Sequence, residues 1–294
     1  MRSSIRGSGI GDGTMKAIGL LLRRAWATRW GRLSIVTLAG VTLLALLAPP
    51  FLADPAAQPD IIGGANRPPS AAHLFGTDPL SRDVLARVVS GGRVSLSVAA
   101  LSVALSVTLG AFVGLAAGFF GGAVDTVLMR LVDGALAVPR LFLLLILIAV
   151  WERVPFGAFI LVIGATGWFG TSRLVRAEVL RLRHQDFVRA AEALGGGPGR
   201  IMFRHLLPNA AGPLVVAATL GVGEVILLEA GLSFLGLGIQ PPTPSWGGMI
   251  FDARSVLASA PWASVFPALA ITLTVLSVNL LGDALREAAG SRVA

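Results

Sequence analysis

Six long apolar runs constrain this chain more than any other feature. Residues 33–53, 95–118, 131–150, 156–174, 212–236 and 262–281 each come to roughly the 20 residues that a helix needs to cross a hydrocarbon core. The chain is 54% hydrophobic and 14% charged, with a mean hydropathy of +0.78. An ordinary soluble domain carries about 25% charged residues. The fold class expected is therefore an all-α integral membrane protein with six transmembrane helices. The chain has no Cys, which excludes disulfides, thiolate metal sites and a cysteine nucleophile.

A net charge of +8 would suit nucleic acid, but its placement argues for a membrane instead. Residues 1–32 hold Arg2, Arg6, Lys16, Arg23, Arg24, Arg29 and Arg32 against the single acid Asp12. They lack the apolar core and cleavage site of a secretory signal, and their Gly and Ser content predicts a flexible start. Between Arg173 and Arg204 lie seven arginines against three acids. Positive charge stays in the cytoplasm, so both stretches are expected there, with four spans between them. Residues 54–94 hold four arginines and four aspartates, the balance expected of a translocated external segment. Residues 283–294 return to the cytoplasm as a short tail, so both termini are expected on that side.

Between the fourth and fifth runs, residues 183–208 read as helix, turn, helix. Asp186 can cap the first helix, and Phe187, Ala190, Ala191 and Leu194 recur on one stripe. Gly195 to Gly197 and Pro198 end it. A second helix from Arg200 carries Ile201, Met202 and His205 and stops at Leu207-Pro208, with Asn209 capping the next run. On residue chemistry alone, this is either a solvated amphipathic linker or a docking element.

In the external segment, Gly76-Thr77-Asp78 precedes Ser81-Arg82-Asp83, and Thr77 or Asp78 is placed to cap a helix opened by Pro79. Glu224 and Glu229 fall inside the fifth run, where a carboxylate is costly. Each is either a pathway-lining or gating group or a structural acid paired at a helix interface. The prolines of Gln240 to Gly247 enforce an irregular outer segment, and Trp246 suits the membrane interface.

Taken together, these stretches resemble the permease subunits of type I ABC importers, in particular the peptide and nickel subgroup. The carrying residues are Ala190-Ala191, Gly195 and Leu207-Pro208 in the loop, Gly76-Thr77-Asp78 with Arg82-Asp83 outside, and 229–247. The resemblance implies that Arg189, Ala190, Ala191, Glu192, Leu194, Gly195, Leu207 and Pro208 form a cytoplasmic coupling helix and turn that dock on a separate ATPase. In this family the loop is named for a Glu where Arg189 stands, and many peptide-type members resemble this chain in having Arg. A Gly usually occupies the position of Ser81. The resemblance further implies a second permease subunit, two ABC ATPase subunits binding ATP and Mg²⁺, an external substrate-binding protein, and a place in the cell inner membrane. No cofactor is expected on this chain, and no nucleic acid.

Chemistry of its own is not expected either. The only lysine, Lys16, lies in no glycine-rich phosphate loop. His73, His184 and His205 all fall outside the apolar runs, with no His-Glu-x-x-His and no Gly-x-Ser-x-Gly. The competing class is a self-sufficient secondary transporter or channel, in which Glu224 and Glu229 would carry a coupling ion or proton.

Overall fold

The computed structural model describes residues 10–290, with side-chain surroundings described for 19–289. Residues 1–9 of the basic tail and 291–294 of the last segment lie outside the described residues. Among those described there are helices and no strand. In chain order they are α1 (Ile10–Ala27), α2 (Arg29–Leu47), α3 (Val84–Phe120), α4 (Gly122–Leu136), α5 (Arg140–Ile148), α6 (Phe156–Leu182), α7 (Asp186–Ala193), α8 (Pro198–Ile201), α9 (Leu207–Asn209), α10 (Ala211–Phe234), α11 (Trp246–Asp252) and α12 (Trp262–Gly290). Helices α2, α3, α6, α10 and α12 are each long and apolar enough to cross a membrane.

The third expected span is the one that changes. Residues 131–150 form no continuous helix: α4 and α5 meet at a bend of 82° and make a sixth span only if counted as a broken pair. Pro139 causes the break, because it has no N–H to donate and pushes Val138 out of helical geometry. Asp125, Arg130 and Asp133, just before and within the start of that run, belong to α4. That helix is held to α6 by the Asp125–Arg176 and Asp133–Arg173 pairs.

Other boundaries shift for identifiable reasons. Helix α3 begins eleven residues before Ser95, because the Asp83 carboxylate caps it by accepting from the Ala86 N–H at 2.9 Å. The expected flexible start is helical from Ile10, with Leu21 and Ala25 buried against Val216, Ala284, Leu285 and Ala288. The expected final tail is the end of α12, which carries three of those residues.

Helices α3 and α6 make the closest pairing, and glycine is the reason. Gly110, Gly114 and Gly118 stand one turn apart on the face of α3 toward α6. A Cβ on Gly114 would lie 2.5 Å from the Ser172 carbonyl oxygen and 2.7 Å from the Val175 Cβ. Such stripes let backbones approach in lipid, where dispersion rather than water exclusion drives association. Ser106 Oγ adds a 2.8 Å bond to the Gly164 carbonyl. The largest buried cluster joins α3, α5, α6, α10, α11 and α12 through Val98, Ile148, Phe159, Ile226, Trp246 and Ile271.

Candidate functional site

At one end of the bundle the 183–208 segment seats on the ends of α3, α6 and α10. Val188 of α7 is fully buried in a cluster with Leu115, Val179, Leu182, Ile201, Leu206 and Leu214. Val188 and the half-buried Ala191 supply the inward face, and the other members of the stripe, Phe187, Ala190 and Leu194, are exposed. Phe187 is 39% exposed, Leu194 is 89% exposed, and Ala190, Arg189 and Glu192 are exposed too. The outward side of α7 therefore exposes Phe187, Ala190 and Leu194 beside the charged Arg189 and Glu192.

The local chemistry departs from expectation at Asp186, Pro208 and Asn209. Gln185, without a side-chain bond, stands at the cap of α7, and Asp186 is the first helical residue. A carboxylate there still favours the positive helix end. Gly195 adopts φ +79°, a left-handed turn that suits glycine, and its N–H closes on the Glu192 carbonyl at 2.9 Å. Beyond α8, residues Met202–Leu206 wind as a π-helix that runs into α9 without stopping at Pro208. A π-turn displaces the backbone bonds that Pro208 would otherwise break. Asn209 caps nothing; its Nδ2 donates to the His205 carbonyl at 2.6 Å.

Within the bundle an open cavity of about 260 Å3 lies between α3, α5, α6 and α10. Glu224 and Arg140 line it together and form an ion pair of 2.5 Å, Nη1 to Oε1. Glu229 does not line it. That carboxylate is fully buried, accepting from Ser95 Oγ at 3.1 Å and from Ser233 Oγ at 2.8 Å. Of the two alternatives open from the sequence, the structure places Glu229 at a helix interface and Glu224 in the cavity. Arg140 was hidden inside an apolar run; its signal was being the only charged residue between Asp133 and Glu152, directly after a proline.

The opposite end is closed by a buried charge network. Gly76, at φ +74°, lets the chain pass Trp262, whose Nε1 donates to the Thr77 carbonyl at 3.0 Å. Thr77 Oγ1 donates to the Gly64 carbonyl and accepts from the Arg67 N–H. Asp78 is no helix cap, since no helix starts at Pro79. Its Oδ1 accepts from the Leu80 and Arg82 N–H groups, and its Oδ2 from Arg82 Nε at 2.6 Å. Arg82 and Arg87 both reach Asp252 of α11, at 2.9 and 3.0 Å. Asp83 also holds His73 at 2.9 Å. Trp246 is buried beside Gly92 rather than set at an interface, with Nε1 bonded to the Val88 carbonyl. Asp252 carried no recognisable pattern, because its partners Arg82 and Arg87 lie 170 and 165 positions away and leave no local periodicity.

Among the described residues no group of His, Asp and Glu could hold a metal ion. The molecule thus presents a bundle with an open cavity that holds an ion pair, a salt-bridged cap at one end and a helix exposing Phe187, Ala190 and Leu194 at the other.

The comparisons with known proteins agree with that architecture. Residues 106–294 match the family described as the binding-protein-dependent transport system inner membrane component. A Brucella suis protein provisionally named as a peptide permease is 42% identical, covering 98% of this chain and 97% of the relative. The dipeptide transport system permease protein DppC of Alkalihalophilus pseudofirmus is 41% identical, over 87% of this chain and 85% of its own. The oligopeptide transport system permease protein OppC of Bacillus subtilis is 38% identical, over 86% and 83%. With a family match over more than half its length and relatives matched nearly end to end, this chain belongs to the binding-protein-dependent transport system inner membrane components.

Proposed function

We propose that this chain forms half of the translocation pathway of an ATP-driven ABC importer for small peptides, and that α7 is its lever. The observation that carries the proposal is the exposure of Phe187, Ala190 and Leu194 along the outer side of a short helix whose inner face is anchored by the buried Val188. A short helix with such a face suits a groove on a partner protein. The anchor cluster reaches α3, α6 and α10, so displacement of α7 bears directly on helices that wall the cavity. The names of the relatives, which include dipeptide and oligopeptide systems, support peptides as the solute.

In this reading two ATPase subunits bind ATP and Mg²⁺, one beneath this chain and one beneath a second permease, and an external binding protein delivers the solute. The basic loop end of the bundle, with the termini, faces the cytoplasm, and the salt-bridged cap around Asp78 and Asp252 faces outward. Closure of the ATPases rocks the bundle as a rigid body and exposes the cavity to each side in turn. Glu224 lines the pathway, and this chain performs no hydrolysis itself.

The test is purification through an amino-terminal tag in mild detergent, with native mass spectrometry of the complex. The wild type is expected with a second permease and two ATPase chains. Leu194→Asp should lose the ATPase, because a buried apolar anchor is worth about 2 kcal/mol or more of binding. At an exposed site the same change should alter stability by no more than about 0.5 kcal/mol. Recovery alone, with solute flux that needs no ATP, would overturn the reading in favour of a self-sufficient transporter.

A further inference from the structure

The cavity between α3, α5, α6 and α10 is built around a guanidinium that its own chain satisfies incompletely. Arg140 opens α5 immediately after the Pro139 break, so the bend sets its side chain into the bundle instead of along a straight span. Gly167 of α6 makes the room: a Cβ there would lie 2.7 Å from Arg140 Nη2. Nη2 donates to the Ile163 carbonyl at 2.9 Å, Nη1 donates to one oxygen of Glu224, and Nε, though buried, has no acceptor. Arginine presents a planar fork suited to two carboxylate oxygens, and here an internal carboxylate uses one donor of it.

Glu224 is a poor structural partner. Its side chain is 62% exposed against 24% for Arg140, so it reaches the guanidinium from the open side of the cavity. The buried Glu229, with both oxygens engaged by serines, shows what a packed acid in the same helix looks like. A carboxylate at membrane depth that is exposed to a cavity is a mark of a solute or ion path. The surrounding wall mixes the small groups of Ser106, Gly170, Thr171 and Gly221 with apolar side chains such as Leu174 and Leu220. At about 260 Å3 the cavity is below the roughly 300 to 1,000 Å3 of sites that enclose a whole drug-sized ligand. It fits one end of a solute.

We propose that Arg140 is the anchor for the free carboxylate of the transported solute, and that Glu224 is an internal stand-in that occupies the anchor when the path is empty. The incoming carboxylate takes the place of Glu224 and supplies a second carboxylate oxygen to a guanidinium that now binds one, beside the Ile163 carbonyl. The pathway thereby admits solutes ending in a carboxylate and keeps its cation paired between passages. This rests on the importer reading for the identity of the solute, but the discrimination it predicts belongs to this chain alone.

The test uses the full-length chain with its accompanying subunits in lipid nanodiscs, without the external binding protein. Calorimetric titration compares L-alanyl-L-alanine with L-alanyl-L-alanine amide. The wild type is expected to prefer the free acid by about tenfold or more, the size of a charge-assisted hydrogen bond. Arg140→Gln should remove the preference. Glu224→Gln should strengthen binding of the free acid, because the competitor is gone. Arg140→Lys, which keeps the charge without the fork, should retain part of the preference and covers the case in which the glutamine variant fails to fold.

An absent preference in the wild type, a preference that survives Arg140→Gln, or weaker free-acid binding in Glu224→Gln would each overturn the proposal. Uptake of labelled L-alanyl-L-alanine by cells carrying the whole system is measured alongside. ATP-dependent uptake with no carboxylate preference on the nanodisc sinks the anchor and leaves the importer standing. A carboxylate preference without ATP-dependent uptake of any peptide sinks the importer and leaves the anchor.

Discussion

Two glutamates five positions apart in α10 divide into different kinds of group once their neighbours are known. Glu229 is enclosed, and its two oxygens each hold a serine hydroxyl from a different place in the chain. Truncating it to Ala leaves Ser95 and Ser233 without that acceptor and opens a void, a loss of about 2–4 kcal/mol. The expected outcome for Glu229→Ala is a clear drop in melting temperature in detergent, with unchanged transport per folded complex. An unshifted melt with selective loss of transport would put Glu229 on the pathway instead. The sequence held both glutamates as equivalent, because an apolar helix does not announce which of its faces meets a cavity.

For the helices, the decisive contact is the α3–α6 seam. Gly110, Gly114 and Gly118 leave no space for a side chain, so substitutions there act on helix separation and not on propensity. Gly114→Leu should destabilise by about 1–3 kcal/mol or more through overpacking against the α6 backbone. Gly134 in α4 has nothing within 4 Å of a would-be Cβ, so Gly134→Ala should be neutral or stabilising by about 0.5–1 kcal/mol. Thermal melts of both variants test the seam; equal shifts would refute it. The small-residue content of the second run was legible in the sequence. The identity of the facing helix was not, since α6 lies some sixty positions away along the chain.

Across the whole molecule, the salt-bridged cap and the α7 face occupy opposite ends of the bundle and share no residues. Asp78 ties Arg82 and Arg87 together beneath the 54–83 segment, with Asp252 completing the network from α11. Removing one partner of a buried pair costs about 3–5 kcal/mol, because it strands the other charge. Asp78→Ala should therefore expose residues 54–83 to limited proteolysis. Sites that far apart with no shared partner behave additively, so retention of the ATPase through α7 should be unchanged. Simultaneous loss of both would mean that the cap and the lever are coupled through the bundle.

The sequence by itself determined that this chain is a helical membrane protein and which loop turns sharply at Gly195. These follow from local quantities: run length, the positions of Gly and Pro, and charge density along the chain. The family also shows locally, in short ordered motifs. What only the tertiary structure decided is which residues meet across the bundle: Arg140 with Glu224, Asp252 with Arg82 and Arg87, and Glu229 with Ser95. It also decided the 82° break at Pro139 and the outward turn of Phe187 and Leu194. The physical reason is that in a span apolar on every side, periodicity does not identify the inner face; the packing of distant helices does.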